Sequence, residues 1–303
     1  MGSGVPLKGY LYVILSAIAS ALLPVFYKLG YHMQVTTDTL LAMRFFISAA
    51  ILMTLAVATK KIQWASLKPC LGTLAVQAVI YFASAVFYIL ATKYMLAAVA
   101  SMLFYAYPAI VLLIMTLYYH EKLSVKRLIS LGLVILGCLM VINLFSQDFD
   151  LNWQGIACGL MGALMFAIYI IRGQKISREI DPVTVIACIT TICSLFVVLI
   201  FPPVTMFTSP LTLPQFLVGL GSAVFCTVLA LTLYLMGLAK LGASRTSIIS
   251  TIELAFTIGF AWLILSEKLS AVQLLGSASI IAGIIILQTE TEEVPEYSKK
   301  PSI

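Results

Sequence analysis

Two charged side chains in this chain stand where charges are costly. Glu253 lies inside the run IELAFTIGFAWLIL and Arg44 inside TLLAMRFFISAAILM. At a bilayer centre such a side chain costs roughly 2.5–3.5 kcal/mol to insert. A carboxyl at Glu253 can bind and release a proton or hold a substrate amine. It can equally be a structural acid, hydrogen-bonded to hydroxyls such as Ser250 or Thr257 about one helical turn away. Arg44 can attract a carboxylate, or act structurally by snorkelling towards the membrane surface. Tyrosines are the third group. Tyr81, Ser84 and Tyr88, spaced by three and four, share one helical face, and Tyr105, Tyr107, Tyr169 and Tyr234 lie in other apolar runs. A tyrosine offers an apolar ring and a polar tip, which suits an amphiphilic substrate and equally suits packing or interfacial anchoring.

Other chemistries lack their parts. His32 and His120 are the only histidines, and neither sits centrally in an apolar run. The six cysteines, Cys70, Cys138, Cys158, Cys188, Cys193 and Cys226, form no C-x-x-C pair and read as free thiols. No metal cluster, Walker loop or Ser/His/Asp set emerges, so neither an enzyme nor a cofactor is expected. The net charge of +6 reflects loop basicity, and nucleic acid is not an expected partner.

The elements that must position these residues follow from hydropathy. The 303-residue chain is 62% hydrophobic and 10% charged, with a mean hydropathy of +1.09. A soluble interior cannot hide that much apolar surface, so lipid must cover it. Period-two alternation is missing, which argues against an outer-membrane barrel. Ten apolar segments are expected as helices, near 9–28, 39–59, 68–92, 94–119, 124–144, 153–171, 182–201, 214–239, 242–265 and 270–288. Lys8 with the following apolar run and SAIAS imitates a signal peptide, but the run continues to Phe26, which predicts a retained first span. The C-terminal QTETEEVPEYSKKPSI reads as a disordered tail.

Loop charge orients the spans. With the N-terminus in the cytoplasm, thirteen Lys and Arg fall inside (among them Lys60, Lys61, Lys68, Lys126 and Arg172), and only Lys28, Lys93 and Lys268 fall outside. The positive-inside rule therefore predicts both termini cytoplasmic and the Gln147–Gln154 loop outside.

The tetrapeptide EKLS occurs at 121–124 and again at 267–270, 146 residues apart. The same offset, without gaps, superposes Gly9 on Gly155, Tyr88 on Tyr234, Ala97 on Ala243, Ser101 on Ser247 and Gly137 on Gly283. Residues 1–146 and 147–289 are thus read as two five-helix repeats, followed by a tail at 290–303. An odd number of spans sends the second copy across the membrane the opposite way. Inverted repeats around a midplane site are the architecture of alternating-access carriers. Glu121 and Glu267, at span ends, read as boundary and capping residues.

The stretches YPAIVLLIMTLYYHEKLSVKRLISLGLVILG (107–137) and IELAFTIGFAWLILSEKLSAVQLLGSASIIAG (252–283) resemble the two signature regions of the EamA family, in the drug/metabolite transporter superfamily. The resemblance implies a ten-helix, all-α carrier of the plasma membrane, often an exporter, for amino acids or other small metabolites. Many members carry Glu-Pro in the ninth span. Here Leu254 follows Glu253, and the proline persists only in the fourth span as Pro108.

Together these readings predict a secondary active transporter. Its substrate would meet Glu253, Tyr88, Tyr234, Tyr81, Ser84, Tyr105, Tyr169 and Arg44, with Glu253 as the proton-coupling group. The expected partners are a small-molecule substrate, the lipid bilayer and protons, and the chain would be a monomer or a weak homodimer. A passive facilitator and a non-transporting scaffold are the alternatives, and the duplication speaks against the scaffold.

Overall fold

The structure is a computed structural model that describes residues 7–59, 70–119, 124–141, 152–176, 182–208, 210–241, 249–250 and 252–289. Glu121, Lys60, Lys61, Lys68, most of the Gln147–Gln154 loop and the 290–303 tail lie outside the described residues. The helices, in chain order, are α1 Leu7–Ala21, α2 Leu23–His32, α3 Thr37–Ala58, α4 Leu71–Tyr94, α5 Ala97–Phe104, α6 Tyr107–Tyr119 and α7 Val125–Val141. They continue as α8 Trp153–Ile176, α9 Pro182–Ile200, α10 Val204–Thr208, α11 Leu213–Ala223, a π-turn at Val224–Leu229, α12 Ala230–Leu241, α13 Ile252–Leu265 and α14 Ala271–Thr289.

Seven of these stretches are long and apolar enough to cross a membrane, counting α1 with α2, α5 with α6, and α11 through α12 as single spans. Where described, the stretches expected as spans five, nine and ten are mostly helical too, but their apolar helices are shorter: Leu128–Val141, Ile252–Leu265 and Ala271–Ile286. Span five begins on Lys126 and Arg127, which delay its apolar part, and the start of span nine falls mostly outside the described residues. Burial is arranged for lipid rather than water. Leu199, Leu263 and Trp262 are exposed on the outside, whereas Arg44, Ser48, Gln77, Ser84 and Thr227 are buried inside.

The helix pairs exchange under the 146-residue shift. Helix α1 packs on α12, and α4 on α8, which is the same pairing with the halves swapped. Helices α3 with α9 and α7 with α14 each pair an element with its own counterpart. Side chains keep the symmetry. Ser16 Oγ donates to the Ala230 carbonyl at 2.7 Å, and Ser84 Oγ donates to the Gly162 carbonyl at 3.0 Å. Residues 16 and 162, like 84 and 230, are 146 apart, so one inter-helix tie recurs with its donor moved to the other helix. On α7 and α14, Ser279 Oγ donates to the carbonyl of Leu133, its own repeat equivalent, at 2.8 Å.

Glycine sets the α7–α14 approach. A Cβ at Gly137 would come within 2.6 Å of the Gly276 carbonyl oxygen, and one at Gly283 within 2.9 Å of the Ser130 carbonyl oxygen. These positions are repeat equivalents, and small residues are what permit such backbone contact in a membrane. Gly137→Val and Gly283→Val are each expected to cost about 1–3 kcal/mol through overpacking. Melting of the detergent-purified protein would show the loss in both variants. Val at Gly259, whose added Cβ meets nothing within 4 Å, serves as the tolerant control.

The second EKLS has a structural meaning. Ser270 opens α14 with reciprocal bonds, Gln273 N to Ser270 Oγ at 3.2 Å and Ser270 N to Gln273 Oε1 at 2.9 Å. This is a capping box with glutamine as the third-position partner.

Candidate functional site

Arg44 leaves α3 towards the interior of the bundle and does not snorkel. It is 5% exposed. Its guanidinium donates from Nη1 to the Tyr27 hydroxyl at 2.6 Å, from Nη2 to the Tyr81 hydroxyl at 3.1 Å and from Nε to Thr227 Oγ1 at 3.1 Å. It also lies 5.9 Å from the Tyr27 ring centroid and 5.4 Å from that of Phe45. Three neutral oxygens and two ring faces thus solvate a full positive charge, and two of its five N–H groups remain beyond these bonds.

Two of those oxygens belong to repeat-equivalent positions, because Tyr81 and Thr227 are 146 residues apart. One repeat supplies a tyrosine and the other a threonine, so Arg44 is gripped from both halves. Thr227 reaches it from the π-turn. Its hydroxyl also lies 3.4 Å from the Ser222 carbonyl five residues earlier, the spacing of a π-helix. The α4 segment at the equivalent place is ordinary α-helix.

Glu253 lies in the first turn of α13, and its carboxyl is hydrogen-bonded to the Tyr105 hydroxyl. Thr257, expected as a partner for that carboxyl, donates instead to the Glu253 backbone carbonyl at 3.0 Å. Tyr107 and Tyr234 stand near enough to Glu253 to interact with its charge. Tyr107 is the repeat equivalent of Glu253, as Tyr88 is of Tyr234. Tyr107 and Glu253 thus set one residue from each half against its counterpart.

An unbroken run of ring contacts joins the two charged groups. From Tyr81 at Arg44 it passes to Tyr169 at 5.1 Å, Phe166 at 5.8 Å, Tyr107 at 5.0 Å and Tyr105 at 6.0 Å, which meets Glu253. Phe104 joins this run, at 5.1 Å from Phe166 and 4.7 Å from Tyr88. Tyr81, Tyr107, Tyr169, Tyr234, Phe104, Phe166 and Glu253 are half-buried, whereas Tyr88, Tyr105 and Ser84 are buried.

The eight residues singled out from sequence therefore divide. Arg44, Tyr81, Tyr169, Tyr105, Tyr234 and Glu253 belong to the interior run or its ends. Ser84 is engaged in the α4–α8 tie. Tyr88 adjoins the run but spends its hydroxyl on Ser101 at 2.8 Å. Ser101 already donates to the Ala97 carbonyl at 2.9 Å, so Tyr88 is the donor in that pair. Tyr88→Phe is expected to cost about 0.5–1.5 kcal/mol of stability while leaving Ser101 bonded. Comparing the melting of Tyr88→Phe with that of Tyr234→Phe checks this.

Sequence reading passed over Tyr27, Thr227, Phe104 and Phe166. The repeat offset pointed from Tyr81 to Thr227, but the other three carry no comparable signal. Among the described residues, no group of three His, Cys, Asp or Glu is placed to hold a metal.

Interior polar groups on membrane-length helices, packed as two exchangeable halves, define a multi-pass membrane carrier class. The EamA-like transporter family model matches residues 7–143 and 153–289, and the chain belongs to that family. A Synechocystis sp. protein described as the uncharacterized transporter sll1319 is 26% identical over 198 residues, covering 63% of this chain and 59% of that one. The uncharacterized transporter YetK of Bacillus subtilis is 27% identical, covering 59% and 56%. The threonine/homoserine exporter RhtA of Escherichia coli K12 is 29% identical over 154 residues, half of each chain. The aligned part thus spans under two thirds of each of these relatives. A crystal structure of another protein shares the fold, with a TM-score of 0.60 at 16% identity, covering 92% of this chain and 95% of that one.

Proposed function

We propose that the chain is a secondary active transporter that exports or exchanges a small zwitterionic metabolite such as an amino acid. The substrate sits between Arg44 and Glu253, its carboxylate towards the guanidinium, its amine towards the carboxyl and its side chain against the tyrosine and phenylalanine rings. Residues 1–146 and 147–289 act as inverted repeats of five spans each, making ten in all, with both termini cytoplasmic. Alternating access then follows from related motions of two similar halves about one midplane site. Protons entering through Glu253 couple the cycle.

One observation carries this reading. A guanidinium and a carboxyl, groups of opposite charge type, lie inside the bundle at the ends of one aromatic run, and among the described residues no ion pair joins them. A carrier built only to pack helices gains nothing from keeping two interior charges apart, because unpaired charges inside a membrane are costly. A molecule bearing both charges can complement both.

An efflux screen tests the proposal. Cells overexpressing the protein are loaded with amino-acid dipeptides, and the release of free threonine, homoserine and the remaining amino acids is followed. The expected result is faster release of at least one zwitterion, lost in Arg44→Gln. Release of every amino acid at the rate of control cells would contradict it.

A further inference from the structure

A second contact between the two halves lies away from the central site, at the start of α5. Helix α5 has no cap from its own chain neighbourhood, since Leu96 offers no side-chain hydrogen bond. Its first amides are taken by a carboxylate from the other half. Ala97 N donates to Glu267 Oε1 at 2.8 Å and Ala98 N to Glu267 Oε2 at 3.2 Å, across 170 and 169 residues of chain. Glu267 is buried, at 7% exposure.

A tight turn delivers it. Ser266 adopts a left-handed φ of 55°, uncommon for a residue with a Cβ, and Glu267 N closes the turn on the Ala261 carbonyl at 3.2 Å. Facing it across the Met95–Leu96 turn, Lys28 Nζ donates to the Thr92 carbonyl at 3.2 Å and the Met95 carbonyl at 2.8 Å. A carboxylate therefore sits on the starting amides of α5, and an ammonium on the last carbonyls of α4. Each complements the local helix dipole, and the two charges are close enough to act on each other.

We propose that Glu267 and Lys28 form a gate that holds one membrane face of the transporter closed. The inference rests on the transporter reading and goes beyond it by naming the contact that must break. The chemistry suits a gate. The two Glu267 bonds are charge-assisted and join the halves, and water can replace each of them once the halves part. The Lys28 bonds stay within the first half, so Lys28 supports the gate through its charge beside Glu267. The glycine-lined α7–α14 contact has no such substitute for its close backbone approach and stays shut. The strained turn at Ser266 relaxes when Glu267 lets go.

The labelling itself needs no substrate. In the full-length protein, Tyr234→Cys places a reporter beside Glu253. A membrane-impermeant maleimide is applied to right-side-out and to inverted membrane vesicles, and modification at residue 234 is read by peptide mass spectrometry. Acylation of exposed Lys268 identifies the vesicle type whose outer surface carries the gate.

Glu267→Gln and Lys28→Gln are each expected to speed labelling about tenfold in that vesicle type alone, by shifting the population towards the open state. The double variant should add little, because both residues serve one gate. Labelling that stays within about twofold of the parent in both variants overturns the proposal, and a lowered melting temperature with unchanged labelling makes Glu267 a static cap. Should Glu267→Gln fail to fold, Glu267→Asp, whose shorter side chain cannot keep both bonds to the Ala97 and Ala98 amides, takes its place with the same expected result. Unchanged labelling beside persisting flux refutes the gate and spares the transporter, whereas absent flux in the parent protein refutes the transporter.

Discussion

Glu253→Gln should abolish accumulation driven by a proton gradient while leaving downhill exchange of labelled substrate. Glutamine keeps the size of the side chain and can still bond the Tyr105 hydroxyl, which meets Glu253 in the structure. It cannot bind and release a proton. A carrier that must load a proton at this site on one face and release it on the other then loses its drive but keeps its path. Proteoliposomes with an imposed pH gradient separate the two quantities. The expected pattern is gradient-driven uptake reduced to the level of protein-free vesicles, with counterflow retained. Full gradient-driven uptake in Glu253→Gln would remove Glu253 from coupling. Wild-type flux indifferent to the gradient would remove coupling altogether and leave a passive facilitator.

Substitutions at Arg44 should act on affinity. In the proposed complex the substrate carboxylate meets a guanidinium already oriented by Tyr27, Tyr81 and Thr227. Arg44→Gln removes the charge and the fork together. Losing a charge-assisted pair costs about 3 kcal/mol, or roughly a hundredfold in apparent KM. Arg44→Lys keeps the charge but cannot bond all three hydroxyls in the same geometry, so an intermediate loss is expected. Thr227→Val should fall close to Arg44→Lys, because it frees one edge of the guanidinium without removing it. Initial rates of counterflow against substrate concentration give these constants. A KM unchanged in Arg44→Gln, with only expression reduced, would assign Arg44 to structure.

Much of the fold was legible because lipid imposes simple rules. Long apolar runs become helices, and a 146-residue offset that aligned Gly137 with Gly283 reappears as matching close contacts between α7 and α14. The span count was less secure. Hydropathy marks apolar residues but not where a helix meets polar neighbours, and Lys126 and Arg127 shorten the apolar part of span five.

For the site, types were more legible than partners. Glu253 and Arg44 stood out because charge is rare in such runs. Their partners come from distant helices. Tyr105 and Glu253 are far apart in sequence, and so are Arg44 and Thr227, so no local spacing reveals either pair. Thr227 also depends on a π-turn that its residue types do not announce. Glu267 was recognisable as a cap, yet the helix it caps belongs to the other repeat, a contact that only the folded chain defines.

Counterflow is the most direct measurement of the central claim, that a zwitterion crosses between Arg44 and Glu253. Proteoliposomes are filled with the twenty unlabelled amino acids, and a trace of each labelled one is added outside in turn. The account predicts transient accumulation of at least one label by the wild-type protein, competed by its free acid but not by its decarboxylated amine, and lost in Arg44→Gln. No accumulation of any label, or accumulation that the amine competes as well as the amino acid, would contradict it.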